Sequence, residues 1–160
     1  MESSIDNRLA LMKRVSLLSW LEAGQVATLA GRAEIRHYAE GDVIFEPGSP
    51  GDGLHIIADG EVTFVSGPPD ELEHQSASTL EAGATFGELS LVDKQPRKSR
   101  ARAALPTTVY FLPLAILEDL SRSHPEQYAT LITNLAREMA RKIRRLNQVK
   151  LASQEAPAQT

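Results

Sequence analysis

Cysteine is absent from the 160 residues. Its absence excludes disulfides, cysteine nucleophiles and thiolate metal sites together, and it fits a reducing cytoplasm. No apolar run is long enough to span a bilayer. The opening Met1-Glu2-Ser3-Ser4-Ile5-Asp6 is acidic and polar, unlike the charged front of a secretory signal. The expectation is a cytoplasmic chain with no membrane segment. Overall basic charge is lacking too: the net charge is −4, which removes a general attractive field for nucleic acid. Internal repeats are missing, so a solenoid or propeller is excluded.

What is present suits one globular domain. Hydrophobic residues make up 42%, within the globular range, and the length supports one sizeable core. Residues 5 to 30 read as helical, because Leu9, Met12, Val15, Leu18, Leu21, Val26 and Leu29 recur at helical spacing. From Ile35 the pattern breaks into short apolar pieces separated by Gly, Pro and Asp. These are Ile35–Tyr38, Val43–Phe45, Leu54–Ala58, Val62–Val65, His74–Leu80, Thr85–Phe86, Ser99–Ala104 and Val109–Leu112. Eight short strands at near-regular spacing predict a barrel or jelly roll. Pro113 and Pro125 are each expected at the first position of a helix. The second helix runs to about Leu151, with Leu131, Leu135, Met139, Ile143, Leu146 and Val149 as its apolar stripe. The expected fold is therefore mixed α+β. A helical segment (1–34) precedes an eight-stranded, jelly-roll-like β-roll (35–112), then two C-terminal helices (113–151) and a disordered polar tail (152–160).

The chemistry concentrates in residues 86 to 99, Phe86-Gly87-Glu88-Leu89-Ser90-Leu91-Val92-Asp93-Lys94-Gln95-Pro96-Arg97-Lys98-Ser99. Gly87 lets backbone approach a ligand closely. Glu88 offers an acceptor suited to a sugar hydroxyl. Leu89-Ser90-Leu91 reads as a helical turn whose free N–H groups suit an anion. Arg97 supplies a planar cation that can meet a phosphate with two hydrogen bonds. Together they describe a nucleotide site.

The segment resembles the phosphate-binding cassette of cyclic-nucleotide-binding domains, F-G-E-L-A-L, a spacer, then P-R-A-A or P-R-S-A. Two further stretches resemble the family's strands. They are Tyr38-Ala39-Glu40-Gly41-Asp42-Val43-Ile44-Phe45 and the run from Gly51-Asp52-Gly53-Leu54 to Gly60-Glu61-Val62. The resemblance runs from about Leu17 to Leu146 and points to the catabolite activator protein and the regulatory subunits of cyclic-nucleotide-dependent kinases. It implies that the amides around Gly87 reach the cyclic phosphate, Glu88 accepts from the ribose 2′-hydroxyl and Arg97 neutralises the phosphate. Phe86, Leu89, Ser90, Lys98 and Ser99 complete the ligand-binding set. Phe64, Ala77 and Leu80 are expected to line the ribose and base pocket. Met139-Ala140-Arg141-Lys142-Ile143 resembles the family's long helix, and that register carries Leu146 and Asn147 to the base.

The implied ligand is cAMP or cGMP, with no further cofactor, and a larger cyclic dinucleotide stays open. Where the family has two small residues after the arginine, this sequence has Lys98 and Ser99. Lys98 either adds a cation beside the phosphate, points outward, or blocks the pocket. A ligand-free dimerisation scaffold is the first rival. A metal-dependent, cupin-like jelly-roll enzyme is the second, but His37, His55, His74 and His124 are scattered and form no His-x-His pair. Neither a metal site nor catalysis is expected. Trp20 is expected to pack. The basic run Arg137, Arg141, Lys142, Arg144, Arg145 and Lys150 reads as a solvated helix face or a dock for an acidic surface. Only a short polar tail follows it, so direct DNA binding is not expected. The expected partners are a second copy, through the Leu135–Met139–Ile143–Leu146 stripe, and an unidentified effector protein.

Overall fold

The computed structural model describes residues 4–68, 70–71 and 75–155. The expected turn residue Pro69, the expected strand start at His74 and residues 156–160 of the expected tail lie outside the described residues.

The N-terminal helical stretch is divided into α1 (Ile5–Met12), one 3-10 turn (Ser16–Leu18) and α2 (Ala23–Arg32). Ser4 caps α1 by accepting from the Asn7 N–H at 3.3 Å. Eight strands follow: β1 (Glu34–Tyr38), β2 (Val43–Phe45), β3 (Gly53–Asp59), β4 (Glu61–Ser66), β5 (Ser76–Glu81), β6 (Thr85–Phe86), β7 (Arg100–Ala103) and β8 (Thr107–Pro113). They pair antiparallel in two four-stranded sheets, β1-β8-β3-β6 and β2-β7-β4-β5. The expected mixed fold with an eight-stranded roll between helices is what forms.

Strand β3 explains why its apolar run is nearly continuous. Its two edges are paired with β8 and β6, and its two faces meet two different cores. Leu54 and Ile56 join Tyr110 and Leu112 of β8 in a core shared with the helices, including Met12, Leu29, Leu117 and Leu131. The alternate residue Ile57 joins Val62, Phe86, Ala101 and Val109 inside the roll. The period of two thus divides one strand between two cores. The β3–β4 turn needs Gly60, whose φ is 96° and whose added Cβ would run into Thr107 and the Pro106 carbonyl.

Pro113 does not open a helix. It ends β8, paired with Gly53, and stands as the extended cap before α3 (Leu114–Ser123). Pro125 does occupy the first position of α4 (Pro125–Glu155). At 31 residues α4 is about 46 Å long, taking 1.5 Å per residue. It continues through Glu155, into the stretch expected to be a disordered tail. Asn134 locks α4 to the N-terminal segment: its buried amide donates to the Leu17 carbonyl at 3.0 Å and the Ser19 carbonyl at 2.6 Å. Leu135 is buried and Met139 packs partly against the same core. The expected dimer stripe is corrected accordingly: its first two members cover this chain's own core. Trp20 is corrected as well. It is 84% exposed and does not pack.

His55 sits in the roll with its ring stacked on Phe86, centroids 4.5 Å apart. Burial, then the positive charges of Arg97 and Arg36, push its pKa from 6.5 down to about 3. The unfolded imidazole gains a proton near pH 6.5 and the folded one does not, so the unfolded state binds more protons between these values. The contribution is full above pH 6.5 and is lost as pH falls toward 3. Denaturant unfolding at pH 7, 6 and 5 is expected to show stability falling, with a limiting slope of about 1.4 kcal/mol per pH unit from this group. His55→Phe should flatten that slope. An unchanged slope in the variant would contradict the assignment.

Candidate functional site

The cassette begins where β6 leaves its partner β3, with Phe86 opposite His55. Gly87 has φ 78° and caps a short 3-10 turn, Glu88–Leu91. Only glycine fits there comfortably. The backbone is left-handed, and an added Cβ would lie 2.7 Å from Arg97 Nη1 and 2.9 Å from the Gly53 carbonyl. Farther on, the Arg97 N–H donates to the Ser49 carbonyl at 2.8 Å and the Gly48 N–H donates to the Arg97 carbonyl at 2.7 Å. The backbone at Arg97 is therefore fixed from both sides.

The Arg97 side chain is buried and heavily engaged. Nη1 donates to Ser90 Oγ at 3.0 Å and to the Gly87 carbonyl at 3.4 Å. Nη2 donates to Asp52 Oδ1 and the Gly53 carbonyl, each at 3.2 Å. The guanidinium carbon lies 4.5 Å from the centroid of the Phe45 ring. Its Nε is buried without a hydrogen-bond partner among the described residues, and so is Oε2 of Glu88. Burial raises the Glu88 carboxyl above its ordinary range, and the negative charge of Glu138 on α4 adds to this. A hydrogen bond from its own backbone pulls it the other way, as do the positive charges of Lys142 and Arg97.

Both residues line one cavity of about 510 Å3. Of the residues expected from the sequence, the cavity wall includes Phe64, Leu80, Phe86, Gly87, Glu88, Leu89, Ser90, Arg97, Lys98 and Ser99. Ser90 is turned onto Arg97. Lys98 is exposed and Ser99 half-buried.

Ala77, Leu146 and Asn147 do not line the cavity. Ala77 fails on strand parity. In β5 the residues alternate faces, and Ser78 and Leu80 share the face that meets the cavity, so Ala77 turns away. Leu146 and Asn147 lie about one helical turn too far along α4, where they are exposed. Lys142 takes the position at the wall.

The sequence reading also missed Phe45 and Asp52, although both stood inside the motifs it used. Asp52 precedes the β3 strand and Phe45 ends β2, and only the fold brings them to Arg97. No group of three or more metal-ligating side chains comes together among the described residues. No described helix is long and apolar enough to cross a membrane.

Comparison with known proteins agrees with this geometry. The chain is 32% identical over 124 residues to glutaminase 1 of Bradyrhizobium diazoefficiens, a match covering 78% of this chain and 19% of that protein. It is 28% identical over 137 residues to the CRP-like cAMP-activated global transcriptional regulator of Mycobacterium tuberculosis, covering 86% of this chain and 59% of the regulator. The chain thus spans less than two thirds of these relatives. A solved cyclic nucleotide-binding domain from Methylobacillus flagellatus shares the fold, with a TM-score of 0.77, 22% identity, and coverage of 97% of this chain and 86% of that one. Residues 35–124, more than half of the sequence, match the cyclic nucleotide-binding domain itself, and the chain belongs to that family.

Proposed function

We propose that this chain is a cytoplasmic, non-catalytic cyclic-nucleotide sensor that favours cAMP and relays ligand state through α4. The observation that carries the reading is a pair of buried polar atoms, without partners among the described residues, in residues of one cavity. Arg97 Nε is a donor and Glu88 Oε2 an acceptor. A buried polar atom left unpaired is costly. A cyclic nucleotide supplies what each lacks: phosphate oxygens for Arg97 and a ribose hydroxyl for Glu88.

Phe64, Leu80 and Phe86 provide apolar wall for the ribose and base, while Ser90 holds the guanidinium in place. Lys98, exposed at the wall, adds positive charge close to the phosphate without having to be buried. The preference for cAMP draws on the name of the mycobacterial regulator, and cGMP is its competitor.

Lys142 links the cavity to α4. A ligand that interacts differently with two placements of Lys142 shifts the helix between them, by no more than that difference in affinity. Beyond the domain, α4 exposes Ile143, Leu146 and Val149 at three-residue spacing. We assign this distal half to pairing with a second copy, and the relay to an effector protein that reads the helix.

Isothermal titration calorimetry tests the site. cAMP is expected to bind at micromolar affinity or tighter, with cGMP weaker. Charged hydrogen bonds contribute about 1.5–3 kcal/mol each, so Arg97→Lys should weaken binding by about tenfold to a hundredfold, with folding checked by circular dichroism. No heat from either nucleotide on folded, ligand-free protein would replace the sensor with a scaffold.

A second expectation concerns pH. Because the Glu88 pKa is raised, its carboxylate begins to take a proton at a higher pH than an ordinary glutamate. Affinity should therefore weaken as pH falls through that raised value, and Glu88→Gln should abolish the pH dependence. A variant with the wild-type pH profile would remove Glu88 from the site.

A further inference from the structure

Trp20 stands apart from the nucleotide site. It is the single tryptophan of the chain. It is 84% exposed and holds φ 69°, in the left-handed region that bulky side chains rarely occupy. A large apolar side chain held in a disfavoured backbone, facing solvent, calls for a partner. Its position is set firmly. The Ser19 carbonyl accepts from buried Asn134, and the Glu22 N–H donates to Gln127 Oε1 at 2.7 Å. The indole therefore stands beside α4, at a groove of about 480 Å3 lined by Ala129, Thr130, Thr133, Asn134 and Arg137.

The same side of α4 is basic. At 3.6 residues per turn, Arg137, Arg141, Arg144 and Arg145 fall within about 100° of arc. All four are exposed, and none forms an ion pair among the described residues. Glu138 borders this arc, about 20° beyond Arg145, but is half-buried and accepts a hydrogen bond from Ser16. Glu22 and Glu126 are exposed at the opposite, N-terminal end of the groove. The surface therefore has a direction, from an acidic end past an aromatic side chain and its groove to a run of four arginines.

We propose that this face docks an acidic peptide segment of a partner protein. An apolar side chain of the segment sits against Trp20, and its carboxylates meet Arg137, Arg141 and Arg144. Arginine suits this role, because its planar fork takes carboxylates bidentately. A long polyanion fits less well. The basic run covers only about 12 Å of helix, and Glu22 and Glu126 repel a phosphate chain extended past it. This surface is separate from the cavity, so the inference stands whether or not a nucleotide binds there.

Selection of a random displayed-peptide library on the intact protein tests it. The expected result is enrichment of peptides in which Asp or Glu flanks an aromatic or aliphatic residue. A synthetic copy of an enriched peptide should shift the emission of Trp20 to the blue. Arg141→Glu should weaken it at least tenfold while keeping the wild-type melting temperature, and Trp20→Ala should weaken it too. Raising the salt from 50 to 500 mM should also lower the affinity. Failure to enrich acidic peptides would overturn the proposal, as would binding that ignores Arg141→Glu. A single-stranded oligonucleotide or an anionic phosphatidylserine vesicle that shifts Trp20 at lower concentration than the peptide would also overturn it, and would give the face to that class of partner.

Discussion

The buried guanidinium of Arg97 is the constraint on which the site depends. A charge removed from water is tolerated only with partners, and Arg97 gathers them from three parts of the chain. Asp52 and Gly53 come from the start of β3, Gly87 and Ser90 from the cassette, and Phe45 from β2. Its own backbone is held by Gly48 and Ser49. Remove the charge and these segments lose their common partner. The glycine at position 87 belongs to the same arrangement, since a side chain there would occupy the space that the guanidinium fills. Arg97 thus joins these polar groups into one arrangement, alongside the cassette's own backbone hydrogen bonds from Ser90 to Gly87 and from Val92 and Asp93 to Leu89.

Helix α4 is where the remaining features of the molecule meet. Its first half is part of the domain core through Leu131 and Leu135 and is fastened to the N-terminal segment by Asn134. Its middle reaches the cavity through Lys142 and influences Glu88 through Glu138. Its distal half carries exposed Ile143, Leu146, Val149 and Leu151 and leaves the domain behind. An element so arranged can report the state of the cavity to whatever holds its far end. On the proposed reading, the ligand acts on the middle of the helix and partners read its sides.

Much of the fold was legible in the sequence because its signals are local. Punctuation by Gly, Pro and Asp marked the strands, and three motifs in order marked the family. The cassette residues line one cavity because they lie on a single turn and loop. What stayed hidden depended on geometry that spacing alone does not carry. Ala77 and Leu80 have opposite parity on one strand and cannot both face the cavity. Leu146 and Asn147 were placed by a register about one turn too far along α4, and Lys142 stands at the cavity wall. Asp52 and Phe45 reach Arg97 only once β2 and β3 are folded against the cassette. Trp20, in a stretch read as helical, is expected to pack, but the chain breaks there into a turn and the side chain is turned outward.

The most direct test of the account is nuclear magnetic resonance of the arginine Nε–H groups, with the Arg97 signal assigned by its loss in Arg97→Lys. Nε of Arg97 is buried without a hydrogen-bond partner among the described residues. On saturation with cAMP its proton resonance is expected to move downfield as it gains a charged acceptor. A nucleotide that saturates the protein and leaves this signal unmoved would contradict the account.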